Sequence, residues 1–319
     1  MNPSTDKNVK GLIPVVVFAN REDFWFTKLC VASIRYYYPD VPVYLVKDNL
    51  NGRFSTDGFC KLYNVTTVDL GRPYYGWSAA KVHFLVNEKL PAGKYLTLDS
   101  DIVFTGALLE RLATVPADFI VHGEKHTEPF PQKTKDTFFD PEKIRQLYSG
   151  YQYPGFFFNA GQMVVTLGRM EKDHFKHCFN FEKYPYYFNR DAFPVVDQSI
   201  LNCLLPVLAA ENKLTLSETD YMLWSGNFFD GGNKDNVETI RDPSNLPYLL
   251  HYAGDLRTYK IEKMRGRNIL AFFKTEYYRR LSAAGRIFSA WQDWWYSQRW
   301  FNRILFKKNR LMMKLFSIG

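Results

Sequence analysis

The order of apolar runs in the N-terminal third constrains the fold more than any other feature. Residues 13–19 are short, β-branched and wholly apolar, the pattern of a strand buried on both faces. Helical spacing comes next over 24–38 and stops at Pro39. A second strand is expected at 41–46, a short helix closing at 60–63, a third strand at 64–69, a helix at 78–90 and a fourth strand at 94–98. This β-α-β-α-β-α-β order predicts an α/β domain with a mostly parallel central sheet covered by helices. Ligands of such sheets bind at the carboxyl ends of strands, which makes the segments after Ala19 and Leu98 the candidate binding elements.

Further along, 128–153 is polar and reads as a long surface excursion, 155–167 as a strand, and 182–194 as a Tyr/Phe/Pro-rich loop. A helix is expected near 196–205, a loop over 230–247 and a strand at 248–252. An aromatic content of 17% in 319 residues excludes a disordered chain, and no repeat or sustained heptad is present. The cysteines Cys30, Cys60, Cys178 and Cys203 lie far apart, which argues against a zinc ribbon and for reduced thiols. Residues 1–10 lack the apolar segment of a signal peptide, and no apolar run is long enough to span a bilayer. A cytoplasmic protein is expected, on which the sequon Asn64-Val65-Thr66 carries no glycan.

The net charge of +8 is concentrated at one end. Residues 263–319 hold thirteen Lys and Arg against Glu276 and Asp293, whereas the rest of the chain is slightly acidic. Four of the seven tryptophans lie in the same stretch. Read as one helix, Ile287, Trp291, Trp294, Phe301 and Leu305 line up on one face, with cations around it. The expected organisation is therefore a catalytic domain over 1–262 and a basic, aromatic-rich helical tail over 263–319. A basic helix with an apolar face suits the cytoplasmic surface of an anionic membrane. The same tail is compatible with packing on the domain or against a second copy, so a homo-oligomer stays open. Nucleic acid is not an expected partner, because the body carries no motif for it.

The chemistry-bearing residues cluster after the fourth strand. The run Leu96-Thr97-Leu98-Asp99-Ser100-Asp101 ends an apolar strand in two carboxylates, which alternation along an extended backbone places on one side. Paired carboxylates at a sheet edge repel unless a cation lies between them, and a divalent metal bridging to a diphosphate suits hard oxygen ligands. His251 closes the apolar run 248–250, with Gly254 shortly after it; an imidazole beside two carboxylates favours Mn²⁺ over Mg²⁺. Arg257 is placed to neutralise a leaving phosphate. Asn159-Ala160-Gly161 and Asp197-Gln198 suit hydrogen bonding to sugar hydroxyls, although Asp197 at a helix start also reads as a cap.

Together, Trp77-Ser78-Ala79-Ala80-Lys81, Tyr95 to Asp101, Phe158-Asn159-Ala160-Gly161, Asp197-Gln198-Ser199-Ile200-Leu201-Asn202 and His251-Tyr252-Ala253-Gly254 resemble the glycogenin-like family of retaining glycosyltransferases. That family includes bacterial lipopolysaccharide galactosyl- and glucosyltransferases, and the resemblance covers roughly 13–260. It implies a GT-A fold, a single nucleotide-sugar-binding α/β domain. It further implies that Asp99, Asp101 and His251 hold Mn²⁺, or Mg²⁺, against the donor diphosphate. Ala19 and its neighbours would contact uridine; Lys81, Ser100, Asn159, Ala160, Gly161 and Gly254 would line the donor, and Asp197 its sugar. Gln198 would stabilise an oxocarbenium-like centre. Arg257 stands where the family carries a Lys, and Tyr259 where it carries a Trp.

The implied activity is transfer of a hexose from a UDP-sugar to a glycan or lipid-linked acceptor in surface-polysaccharide synthesis, with retention of configuration. Attack from the leaving-group face needs no covalent intermediate; a reach of Asp197 to the anomeric carbon would open a double-displacement route. Self-glycosylation, a catalytically silent glycan- or nucleotide-binding module, and nucleotidyl transfer are the competing readings.

Overall fold

The computed structural model describes residues 11–71, 76–232, 235–241, 248–253 and 258–316. Among the described residues ten strands are formed: β1 (Val15–Ala19), β2 (Val43–Lys47), β3 (Val65–Val68), β4 (Gly93–Asp99), β5 (Ile102–Phe104), β6 (Phe119–Glu124), β7 (Phe157–Leu167), β8 (Leu216–Glu218), β9 (Met222–Trp224) and β10 (Leu249–His251). Seven make one sheet in the order β3-β2-β1-β4-β7-β6-β8, and β5-β10-β9 make a second, smaller one. In the large sheet β7 runs antiparallel to both its neighbours, and the other four pairings are parallel. The expected mostly parallel α/β sheet is therefore present.

The β-branched strands are buried because helices cover both faces. Val16 and Phe18 of β1 look into one apolar cluster, with Phe84, Met163 and Leu201. Val15, Val17 and Ala19 look into another, with Phe24, Leu45 and Leu98. The helix Trp77–Leu85 is shorter than the 78–90 segment expected, and Val196–Ala210 is longer, continuing through Pro206.

Residues 128–153 are not the surface excursion that their polarity suggests. They fold into helices Gln132–Thr137 and Pro141–Leu147 and bury Phe130, Phe138, Phe139, Ile144 and Tyr151. Phe138 stacks on Phe157 of β7 with centroids 4.5 Å apart. A few aromatic anchors outweigh the polar majority, since each buries a large apolar area.

The C-terminal region is helical, as expected, in three segments: Arg267–Arg279, Ala283–Tyr296 and Arg299–Phe316. Ile269, Leu270 and Phe273 of the first share a core with Trp25 and Phe26, so apolar packing runs straight across residue 262. The second is pinned by a buried ion pair, Lys28 Nζ to Asp293 Oδ1 at 2.6 Å, with Ser289 Oγ accepting from the same ammonium at 2.9 Å.

The second and third helices turn buried polar residues inward, with Leu305 and Met313 among them on the third, and large apolar residues outward. Facing the domain are Ser289, Gln292, Asn302 and Asn309, all buried. Facing outward on the second are Ile287, Phe288, Trp291 and Trp294, and on the third Trp300, Ile304, Leu311 and Leu315; Ile287 is 75% exposed and Trp300 60%. Phe301 and Leu305, read from the sequence as part of the outward stripe, turn toward the domain instead. The chain breaks helix at Ser297–Gln298, where Ser297 Oγ and Gln298 Nε2 donate to the carbonyls of Asp293 and Trp294, and the break shifts the phase of everything after it. Among the described residues, no helix is long and apolar enough to cross a membrane.

Candidate functional site

The site is built where β4 ends. Asp99 is the last residue of the strand, and Ser100-Asp101 form a turn into β5. It is this turn, rather than alternation along a strand, that brings the two carboxylates together. The β5–β10 pairing then supplies the third group. Its antiparallel register sets His251 opposite Ile102, and the Tyr252 amide donates to the Asp101 carbonyl at 3.0 Å. Ligand atoms of Asp99, Asp101 and His251 all lie within 4.8 Å of one another. His251 Nε2 is 3.3 Å from Asp101 Oδ1, and the imidazole is 1% exposed with no hydrogen-bond partner on either ring nitrogen.

An imidazole buried without a hydrogen bond is costly unless something else takes its lone pair. Two carboxylates and one imidazole turned on a common point are a donor set that fits a divalent cation.

Around this cluster β7 and the helix Val196–Ala210 place the amides. Gly161 sits against the cluster so closely that a Cβ would lie 2.5 Å from Asn159 Oδ1, 2.7 Å from His251 Cε1 and 2.8 Å from Asp99 Oδ2. Asn159 Oδ1 accepts from the Gly161 amide at 2.7 Å, and its Nδ2 donates to Gln198 Oε1 at 2.9 Å. Gln198 Nε2 in turn donates to the Thr137 carbonyl at 3.0 Å, so both ends of the amide are held. Asp197 is no cap: Ser199 Oγ accepts from Val195 N at the start of the helix, leaving Asp197 to face the site.

Lys81, on the helix Trp77–Leu85, joins the two halves. Its ammonium is buried and lies 2.7 Å from Asp99 Oδ1, 3.3 Å from Asp197 Oδ2 and 3.1 Å from the Ala160 carbonyl, to which it donates. Burial opposes its charge, but Asp99 and Asp197 outweigh that and hold its pKa above the ordinary lysine value. Asp99 is pushed up to about 6 by burial, with Lys81 pulling down and Asp101 pushing up. Asp197 Oδ1 is buried without a hydrogen-bond partner, an acceptor left for a ligand hydroxyl.

Ala19 ends β1 with no exposed surface, and its carbonyl accepts from Asp48 N at 2.7 Å; the chain that can meet a ligand there is the loop after it. Ser100 is buried in the turn between the carboxylates. Gly254 and Arg257 lie outside the described residues.

Two residues of the site give no signal in the sequence. Trp224 of β9, paired with His251 in register, stacks on the imidazole with centroids 4.9 Å apart, and donates from Nε1 to Glu124 Oε1 at 2.9 Å. Glu124 closes β6 and orients that ring.

No protein-family model matches the sequence, and no curated protein matches it either. Solved structures do. The bifunctional glycosyltransferase WbbM superposes with a TM-score of 0.54 at 16% identity, over 88% of this chain and 53% of WbbM. The galactosyltransferase LgtC, in complex with donor and acceptor sugar analogs, superposes with a TM-score of 0.54 at 13% identity, over 87% of this chain and 100% of LgtC. An active-site Gln-to-Glu mutant of LgtC gives 0.53 at 14% identity, over 84% and 100%. The chain thus spans about half the length of WbbM and all of LgtC. At these identities the likeness is one of fold, and the chain has the GT-A fold that it shares with these glycosyltransferases.

Proposed function

We propose that this protein is a retaining glycosyltransferase that moves a hexose from a UDP-sugar to a glycan acceptor in surface-polysaccharide synthesis. The observation that carries the reading is the convergence of Asp99, Asp101 and His251 at the carboxyl end of β4, with Lys81, Asp197, Asn159 and Gln198 on the neighbouring elements. β4 adjoins β1, the strand from which the parallel order runs both ways, and that switch point is where open α/β sheets bind ligands. The complex of LgtC with donor and acceptor sugar analogs supports the same kind of substrate here.

Asp99, Asp101 and His251 would hold Mn²⁺, which when bound supplies positive charge against the donor diphosphate. Lys81 pairs with both Asp99 and Asp197 and fixes their spacing. The unpaired Asp197 oxygen accepts from a hydroxyl of the donor sugar. Asn159 and Gln198 form a locked amide pair beside the cluster, and amide oxygens held there would stabilise positive charge developing at the anomeric carbon. A neutral, doubly held amide is a weak nucleophile, and Asp197 is engaged with Lys81. Attack by the acceptor hydroxyl from the face that UDP leaves accounts for retention without a covalent intermediate: the bond from the anomeric carbon to the phosphate oxygen breaks, the bond to the acceptor oxygen forms, and the departing phosphate takes the hydroxyl proton.

The outer face of the tail extends the reading to where the enzyme works. Its apolar stripe is flanked by Arg303, Lys307, Arg310 and Lys314, all exposed and at helical spacing along one side. Apolar side chains beside a row of cations match an anionic lipid surface, where lipid-linked acceptors lie.

The test is UDP release from a panel of UDP-sugars with Mn²⁺, run beside Asp101→Asn. Metal-dependent release of UDP from one sugar, lost in the variant, supports the reading. Release of pyrophosphate from a nucleoside triphosphate instead would make the protein a nucleotidyltransferase. Full activity in Asp101→Asn would overturn the metal assignment.

A further inference from the structure

The inward face of the third tail helix sets two buried asparagines, Asn302 and Asn309, among Phe301, Leu305 and Met313, where a helix that merely covers a domain would be apolar throughout. Asn309 donates from Nδ2 to the carbonyls of Asn49 and Leu50, at 3.1 and 3.0 Å. Asn302 accepts from the guanidinium of Arg21 and donates to the Tyr296 carbonyl at 2.8 Å. Arg21 is 2% exposed and lies over the rings of Tyr296 and Phe301, at 4.6 and 5.2 Å from their centroids. Leu305 is seated on Gly52, where an added Cβ would come within 2.6 Å of its Cδ1.

Apart from the bond to Tyr296, which closes the second tail helix, these contacts land on the two segments that leave β1 and β2 at their carboxyl ends: Arg21 on the first, Asn49, Leu50 and Gly52 on the second. The segments are also tied to each other and to the site. Asp48 N donates to the Ala19 carbonyl, and Asp48 Oδ1 accepts from Leu50 N at 2.8 Å. Leu50 lies against Gly76, where a Cβ would be 3.3 Å from its Cδ2, at the start of the helix that carries Lys81. β1 has β2 on one side and β4 on the other, so these loops wall the switch-point crevice on the side away from Asp99.

We propose that Asn302 and Asn309 are positioning residues for the nucleotide: from the tail, they fix the two loops against which the donor's base and ribose bind. The inference rests on the UDP-sugar reading and assigns the support of its nucleotide half to the C-terminal helix. Apolar contacts tolerate sliding and rotation, whereas hydrogen bonds to named carbonyls set both the register of the helix and the path of the loop. Loops held before the ligand arrives need not be ordered by it, and that saving appears as affinity. The same helix turns its apolar and basic side outward, so the surface that meets lipid and the surface that braces the nucleotide loops are opposite sides of one rod.

The experiment measures UDP binding by calorimetry for the full chain and for Asn302→Ala, Asn309→Ala and the isosteric Asn309→Asp. Alongside are measured Mn²⁺ affinity without nucleotide, thermal stability, and donor KM and kcat. Asn309→Ala should weaken UDP about tenfold and raise donor KM. Mn²⁺ affinity and kcat should stay at wild-type values, because Asp99, Asp101 and His251 are untouched. Should Asn309→Ala fail to fold, Asn309→Asp, which keeps the volume and loses the donor, decides the matter. Lowered thermal stability with unchanged UDP affinity would make the contacts simple packing and overturn the inference alone. Failure of the wild-type chain to bind UDP in any condition would overturn the functional reading, and this inference with it.

Discussion

Gly161 is the position at which one methyl group decides the site. Its missing side chain is the space that lets β7 approach Asp99 and His251 together, and a Cβ there meets three site atoms at 2.8 Å or less. Gly161→Ala should therefore reduce Mn²⁺ affinity at least tenfold and abolish metal-dependent turnover; isothermal titration with the metal alone and a turnover assay check this. A protonation effect belongs to the same scale. Burial holds the Asp99 carboxyl at about 6, above its unfolded value, so the folded metal-free protein binds a proton that the unfolded chain has released. This group stabilises the fold fully below its unfolded pKa, and the contribution is lost as pH rises through about 6. A metal needs the ionised form, so the rise in melting temperature on adding Mn²⁺ should be larger at pH 7 than at pH 5. Melting curves with and without the metal test it, and Asp101→Asn should flatten the difference. The carboxylates, His251 and the amides were legible because chemistry restricts which residue types can end a buried strand. Trp224 and Glu124 were not, because their roles depend on the pairing of β9 with β10 and on the path of β6, which no local spacing records.

At the scale of elements, the alternation of strands and helices was readable through β4, since each run carries its own period. Two features escaped it. The helices of 128–153 are held by tertiary burial of a few aromatics rather than by an amphipathic period of their own. The break at Ser297–Gln298 lies in a stretch without Gly or Pro, so one continuous helix was the natural expectation, and Phe301 and Leu305 were assigned to the wrong side. What joins the second tail helix to the body is the Lys28–Asp293 pair. Burial lowers the Lys28 pKa and raises that of Asp293, with each partner opposing the shift of the other. Asp293→Ala leaves a buried ammonium with Ser289, among the described residues, as its one remaining side-chain hydrogen-bond acceptor, and should cost about 3–5 kcal/mol of stability. Replacing both partners, Lys28→Met with Asp293→Leu, should recover most of that loss. Chemical denaturation of the two variants distinguishes a pair that stabilises from one whose two halves merely need each other.

At the scale of the whole molecule, the charge asymmetry and the outward apolar face of the tail act together. Deleting the tail from Ala271 onward would remove Phe273 and Tyr277 from the core, so loss of lipid binding in such a truncation would be inseparable from loss of fold. Substitutions on the outer face avoid that difficulty, because Trp291, Trp300 and the flanking cations are exposed and lie outside the core. Each cation near an anionic surface adds about 1 kcal/mol. Lys307→Gln with Lys314→Gln should therefore weaken sedimentation with anionic vesicles about thirtyfold and reduce its salt dependence. Trp291→Ser with Trp300→Ser should weaken binding to anionic and neutral vesicles alike, since it removes inserted apolar area rather than charge. Both pairs should keep the wild-type melting temperature and the wild-type UDP affinity. Unchanged vesicle binding in both would mean that the outer face meets something other than lipid. A shift from dimer to monomer in the tryptophan pair, read by sedimentation velocity, would identify that partner as a second copy of the chain.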